Sequence, residues 1–152
     1  MQKIIPNLWF NKNAEEAVDY YLSVFPDSKK ITTHYYPTDG LADFQKEFAG
    51  KVLTVEFEIS DQRFIAINAG PEFKFTEAVS FAITCKDQKE IDYYWDTLTK
   101  DGGQESVCGW LKDKYGLSWQ VAPEGIDGWV QSPEAFARMM QMKKIIIADL
   151  LK

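Results

Sequence analysis

The stretch "AVDYYLSVF" at residues 17–25 recurs, with substitutions, as "EIDYYWDTL" at residues 90–98. In each copy apolar residues recur three or four positions apart, with acidic residues between them, which is typical of an amphipathic helix. Asn13 and Asp87 precede the two helices as predicted N-caps, and each is followed by Glu three positions later. The sequence therefore predicts one structural unit that occurs twice.

The segments around the two helices also correspond to each other. Each helix is preceded by a short apolar strand and followed by three predicted strands, with turns at Ser60-Asp61 and Tyr115-Gly116. The order βαβββ therefore occurs twice, and we expect an α+β fold in which the sheets of two tandem modules face each other around a cleft. The predicted strands span residues 3–11, 29–36, 51–60 and 62–69 in the first copy, and 78–85, 103–110, 112–115 and 117–123 in the second.

We expect these modules to form a single domain over residues 1–152. Module one covers about 3–70, a linker covers 70–78, and module two covers about 79–123. Ser132-Pro133-Glu134 predicts the start of a helix, so residues 132–152 are interpreted as a short helical tail.

Composition excludes several classes of protein. The net charge of −6 and the absence of a basic cluster argue against nucleic acid as a partner. No stretch approaches the roughly 18 apolar residues of a membrane span. Only two cysteines, Cys85 and Cys108, are present, and the N-terminus has no signal-peptide pattern. A cytoplasmic protein that does not act at a membrane is expected.

Three stretches resemble a known family: "LWFNKNAEEAVDYYLSVFPDSK", "VEFEISDQRFIAINAGPEFKFTEAVSF" and "CGWLKDKYGLSWQ". They are similar to the PhnB-like branch of the glyoxalase, bleomycin-resistance and extradiol dioxygenase superfamily, also called the vicinal oxygen chelate superfamily. That branch often carries the label 3-demethylubiquinone-9 3-methyltransferase. The resemblance implies the paired-module fold with a ligand cleft, and a homodimer in which the partner completes the cleft.

The resemblance also raises the question of a metal, because superfamily enzymes typically hold a divalent ion in the cleft. Their ligands are His, Gln or Glu from the first and last strands of each module, and those positions fall here on Pro6, Ala66, Ser80 and Gln120. Pro and Ala offer no side-chain donor, and the chain has a single histidine, His34. A site of two His and one carboxylate cannot be built from one chain. We therefore predict neither a metal nor another cofactor.

If these four positions face the cleft, residues two positions away on the same strands face it too. The opposite parity, which includes Trp9, Ile65, Ile67 and Trp119, is uniformly apolar, as expected for a face covered by a helix. The predicted cleft face mixes apolar and polar groups, which is typical of a small-molecule pocket. The predicted ligand-binding residues are Leu8, Phe10, Phe64, Asn68, Ser80, Thr84, Trp110, Ser118 and Gln120.

Three functions stay open at this point. The first is binding of a small molecule in the cleft without a metal, as in bleomycin-resistance proteins. The second is a metal-independent lyase, isomerase or transferase with Glu56 as general base, since the alternation in "LTVEFEIS" places Glu56 on the cleft side. The third is a structural dimer with a filled cleft. No glycine-rich nucleotide motif follows a strand, so the sequence gives no support for the methyltransferase label.

Overall fold

The computed structural model describes residues 2–152 and contains two βαβββ modules, each with one copy of the repeated helix. The chain divides into two compact units, of which the first ends at Lys74 and the second spans Phe75–Lys152. The two-module α+β fold predicted from the sequence is confirmed. The first unit contains β1 (Asn7–Asn11), α1 (Ala14–Val24), β2 (Ser28–Tyr35), a 3-10 helix (Asp43–Phe48), β3 (Val52–Ile59) and β4 (Gln62–Ala69). The second contains β5 (Ser80–Cys85), α2 (Gln88–Thr99), β6 (Gln104–Glu105), β7 (Trp110–Lys112), β8 (Ser118–Pro123), α3 (Ile126–Trp129), α4 (Pro133–Met140) and α5 (Ile147–Leu150).

Module one is a four-stranded sheet in the order β1-β4-β3-β2, with β1 parallel to β4 and the other pairs antiparallel. Helix α1 covers one face of this sheet. The ring of Tyr21 on α1 stacks on Phe57 at 6.1 Å between centroids, and Phe57 stacks on Phe64 at 5.4 Å. The buried face of the sheet is therefore the face that carries Phe57 and Phe64.

The start of α1 differs from the prediction. Asn13 occupies the N-cap position, but among the described residues its side chain makes no capping hydrogen bond. The backbone N–H of Ala14 instead donates to Oδ1 of Asn68 at 2.8 Å. The Asn68 amide nitrogen donates to the Glu15 carboxylate and to the carbonyl of Val52. A β4 side chain therefore caps the helix.

Module two repeats the plan in the order β5-β8-β7-β6, again with a parallel outer pair. Asp87 caps α2 as predicted, since its carboxylate accepts from the Glu90 N–H at 2.9 Å. Helix α2 packs on the face that carries Leu111, Trp119 and Val121, all of which are buried.

The predicted strand over 103–110 is wrong in its second half. Strand β6 ends at Glu105, and the chain then turns through Cys108 and Gly109, whose φ angles of 58° and 84° do not fit a strand. Trp110 consequently begins β7. The strand predicted at 112–115 lies earlier, because residues 113–116 form the turn, with Gly116 at φ 87°.

The C-terminal residues are part of the second unit. Ser132 caps α4 as predicted, accepting from the Ala135 N–H at 3.1 Å. Ile145 and Leu150 are fully buried, whereas Phe136 on α4 stays about half exposed. Within residues 2–152, no helix is long and apolar enough to cross a membrane.

Candidate functional site

The two faces of the module two sheet have different chemistry. Leu111 and Trp119 point toward α2, so the neighbouring positions on each strand point away from it. We call this second surface the α2-distal face of module two. It carries five of the predicted ligand-binding residues: Ser80, Thr84, Trp110, Ser118 and Gln120.

In module one the predicted ligand-binding residues do not lie on the expected face of the sheet. Leu8, Phe10, Phe64 and Asn68 lie on the face covered by α1, where all four are buried. Their parity follows from the pairing of β3 with β4, in which Val55 lies opposite Ala66 and Phe57 opposite Phe64. The predicted register was displaced by one residue, and such a slip exchanges the two faces of a strand. The face away from α1 carries Trp9, Ile65 and Ile67 instead.

Polar side chains on the α2-distal face form a row across the sheet. Ser80 pairs with Ser118, Ser118 with Lys112, and Lys112 with Gln104. Directly opposite residues have Cβ atoms about 4.5–5.5 Å apart, so the row is close to continuous. In the next row Gln120 pairs with Trp110, and its amide nitrogen donates to the Ser80 hydroxyl at 2.9 Å.

Ser118 is the unusual member of the row. It is 1% exposed, and its Oγ has no hydrogen-bond partner among the described residues. A buried hydroxyl without a partner costs about 1–3 kcal/mol, so such groups call for an explanation. Ser118 borders a cavity of about 310 Å³, whose lining also includes Trp110, Lys112, Gln104 and Glu77.

Lys112 and Glu77 form an ion pair at this cavity. The hydrogen bond from Lys112, together with its charge, lowers the pKa of the Glu77 carboxyl below its ordinary value. The Glu77 side chain is 60% exposed, so solvent screens the pair and its contribution to folding is small. Lys112, Gln104 and Glu77 were not among the residues predicted from the sequence. The pairing of β7 with β8 brings Lys112 beside Ser118, and it was not predicted because the strand expected at 112–115 lies at Trp110–Lys112.

Glu56, the predicted general base, lies on the face of module one away from α1. Its carboxylate forms an ion pair with Arg63, and the side chain is 14% exposed. The Arg63 guanidinium occupies one oxygen of this carboxylate, so a general base here would have to act beside a permanent cation. His34 is exposed on β2 and pairs with Thr54 rather than with Glu56.

A second cavity, of about 390 Å³, lies within the first unit and is bordered by Lys12, Glu15, Glu47, Phe48 and Asn68. Lys12 bridges to Glu47 at 3.2 Å, and the Asn68 amide is already bonded to the chain. Lys12 is thus paired with Glu47, and Glu15 accepts from the Asn68 amide, while the cationic Lys51 also borders the cavity.

The divalent metal of the fold family does not fit the residues at the expected positions. Pro6 and Ala66 have no donor atoms, and Ala66 is buried under α1. Ser80 accepts the Gln120 amide hydrogen, so these two positions satisfy each other. In the part of the chain that the structure describes, no group of three or more His, Cys, Asp and Glu side chains could hold a metal ion. The absence of a bound metal in the protein itself stays a prediction.

The paired βαβββ modules define a protein of the glyoxalase superfamily. The chain belongs to the 3-demethylubiquinone-9 3-methyltransferase family, whose model matches residues 2–122. It is similar to a PhnB protein from Bacillus cereus, at 32% identity and a TM-score of 0.66, over 79% of this chain and 98% of the other.

Two more distant solved structures share the fold. Protein PA1353 from Pseudomonas aeruginosa is 18% identical, with a TM-score of 0.60 over 81% of this chain and 98% of that one. The fosfomycin resistance protein FosX from Mesorhizobium loti is 13% identical, with a TM-score of 0.54 over 87% of this chain and all of that one. A search of curated proteins found no significant match.

Proposed function

We propose that this protein binds a small molecule on the α2-distal face of module two, without a metal. The observation that carries the proposal is the buried Ser118 hydroxyl, which has no partner among the described residues and borders a 310 Å³ cavity. A ligand that bonds to Ser118 would satisfy it, which gives this position a reason to carry a polar side chain. The cleft between the modules, predicted from the sequence, stays a prediction.

The neighbours of Ser118 suit such a role. The Gln120 amide is held by Ser80, which fixes its orientation, and Trp110 offers a half-buried aromatic surface in the adjacent row. A cavity that combines an aromatic wall with a few fixed polar groups is typical of small-molecule sites.

The proposal can be tested by a fragment screen with ligand-observed NMR on the wild-type protein and on Ser118→Ala. Removing an unsatisfied hydroxyl should leave the melting temperature unchanged or raise it slightly. Affinity for fragments that bind at this cavity should fall about tenfold, since a ligand hydrogen bond would contribute about 1–1.5 kcal/mol.

The matched control is Ser23→Ala, which removes an exposed hydroxyl from α1 that bonds locally to the Tyr20 carbonyl. It should not change fragment affinity. Equal affinities of Ser118→Ala and wild type for every fragment would overturn the proposal.

The alternative is a metal-independent enzyme with Glu56 as general base. Its support is the low exposure of the Glu56 carboxylate, and the Arg63 ion pair counts against it. If a reaction is found, Glu56→Gln should lower its rate at least a hundredfold, because general-base catalysis contributes typically 10²–10⁴-fold. An unchanged rate would exclude Glu56 as the general base.

A homodimer and a cytoplasmic location are further proposals. The homodimer is supported by large apolar side chains that stay exposed, among them Phe44, Phe73 and Phe136. Sedimentation velocity at micromolar concentration should give the mass of two chains, and a monomer would contradict the proposal.

A further inference from the structure

The α2-distal face of module two carries one cation, Lys112, among side chains that can donate hydrogen bonds. Lys112 lies between Ser118 and Gln104 in the cross-strand row, and Ser80 follows Ser118 on the other side. An ammonium group donates only, an amide can donate twice, and a hydroxyl can donate once. At the cavity, Ser118, Gln104 and Lys112 therefore offer donors and one permanent positive charge. Two carboxylates also border it: Glu105, which accepts from the Trp95 indole N–H, and Glu77.

A carboxylate already lies at this position. Glu77, three residues before β5, reaches Lys112 from an irregular segment and borders the same cavity. The Glu77–Lys112 pair shows that a carboxylate can bind at Lys112. Because Glu77 is well exposed and is held only by Lys112 and by its own backbone, it can be displaced with little loss.

We propose that the ligand of this site is a small planar carboxylate, whose anionic group replaces Glu77 at Lys112 and bonds to the Ser118 hydroxyl. The planar part of such a ligand packs against Trp110, which lies in the row next to Ser118 and Lys112. This inference rests on the proposed function and adds to it the charge and shape of the ligand. Glu77 is then an internal competitor that keeps Lys112 paired when the site is empty.

Benzoate and its neutral isostere benzamide are suitable probes, with affinities measured by saturation-transfer NMR titration at millimolar concentrations. Wild-type protein should bind benzoate more tightly than benzamide. Glu77→Gln removes the competing carboxylate, so benzoate affinity should rise about two- to fivefold, in line with the strength of an exposed ion pair. Benzamide affinity should stay the same.

Lys112→Gln should abolish the preference for benzoate, while the control Lys114→Gln should leave it unchanged. Lys114 is a nearby cation that lies over the Tyr115 ring and does not border the cavity. Raising the salt concentration should weaken benzoate binding and leave benzamide binding unaffected, since salt screens exposed charges. Thermal melts of each variant establish that it is folded.

The outcomes separate this inference from the proposed function. Suppose that benzoate and benzamide bind equally, that the Glu77 and Lys112 variants leave both affinities unchanged, and that Ser118→Ala still weakens fragment binding. The proposed anionic ligand is then wrong, whereas the proposed binding site is supported. If benzoate shows no saturable binding to Glu77→Gln, the inference is overturned. If Ser118→Ala leaves fragment binding intact, the site itself is wrong.

Discussion

Asn68 uses its whole amide for the structure of module one. Oδ1 accepts from the first N–H of α1, and Nδ2 donates to the Val52 carbonyl at 3.1 Å and to the Glu15 carboxylate. The side chain is 6% exposed, so these bonds replace water almost entirely. Its role is to join β4, β3 and α1, which explains a polar residue on an otherwise apolar face.

Replacing Asn68 by Ala should lower the free energy of unfolding of the first unit by about 2–3 kcal/mol. The variant loses a helix cap and leaves the Val52 carbonyl and the Ala14 N–H without their side-chain partner. Urea denaturation followed by far-UV circular dichroism measures the change. Asn13→Ala is the matched control, since the Asn13 side chain makes no capping bond within the described chain. A larger loss for Asn13→Ala than for Asn68→Ala would contradict this assignment.

Cys85 gives the protein a dependence on alkaline pH. Burial raises its thiol pKa from 9.0 to about 12, and the carboxylates of Glu90 and Asp87 add to the effect. Between these two values the unfolded chain releases the thiol proton while the folded chain keeps it. The unfolded state then binds fewer protons, so stability falls as pH rises through this window and is fully present below pH 9.

The expected contribution of Cys85 is a loss of at most about 1.4 kcal/mol for each pH unit within the window. Urea midpoints measured at several pH values should decline less steeply in Cys85→Ala than in wild type. Ser23→Ala, which removes an exposed hydroxyl on α1 that does not titrate in this range, should keep the wild-type slope. Identical slopes in all three proteins would refute the assignment.

At the scale of the element, α1, α2 and β2 to β4 were predictable to within a residue or two. Alternation and turn residues define these strands, as in the Ser60-Asp61 turn, where both residues have positive φ. The face of β4 was not predictable in the same way, because Phe64 and Ala66 on one side are as apolar as Ile65 and Ile67 on the other. Pairing with β3 would have identified the face, because Glu56 and Glu58 lie on the side away from α1.

The C-terminal segment is held to module two by both backbone and side chains. The N–H groups of Cys108 and Gly109 donate to the carbonyls of Met142 and Lys143, each at 2.8 Å. The side-chain amide of Gln88 bonds to the backbone of Ile145 and Ile147. The matched family region ends at residue 122, so this segment is an addition to it that completes the core of the second unit.

Ile145→Ala should therefore destabilise the second unit by about 2–5 kcal/mol, as expected for truncation of a fully buried Ile. Tryptophan fluorescence in urea is a selective measurement, because four of the five tryptophans belong to the second unit. Met140→Ala removes a side chain that is 48% exposed and should cost much less. If both variants lose the same stability, Ile145 is not a core residue.

For the whole molecule, the fold was more predictable than the site. The fold can be recognised from the hydrophobic pattern of each element and from the order of the elements along the chain. Both are present in the sequence. The site depends on which residues of β6, β7 and β8 lie side by side. Residues 106–109 interrupt that part of the sheet, and the positive φ of Cys108, a residue that rarely adopts it, was not predictable from the sequence. Lys112 and Gln104 were missed for this reason, whereas Ser118 and Gln120 follow from alternation along β8.

The buried Ile145 and Leu150 also affect how the protein is made. The strand pairings of the first sheet lie within residues 7–69. The first unit can therefore fold on the nascent chain while the second unit is still being synthesised. The second unit spans Phe75–Lys152 and needs Leu150 for its core, so it stays unfinished for the translation of roughly 75 further residues. At about 5–20 residues per second, that interval is on the order of 4–15 s. During this time the nascent second sheet lacks its last core residues and is exposed to chaperones and proteases.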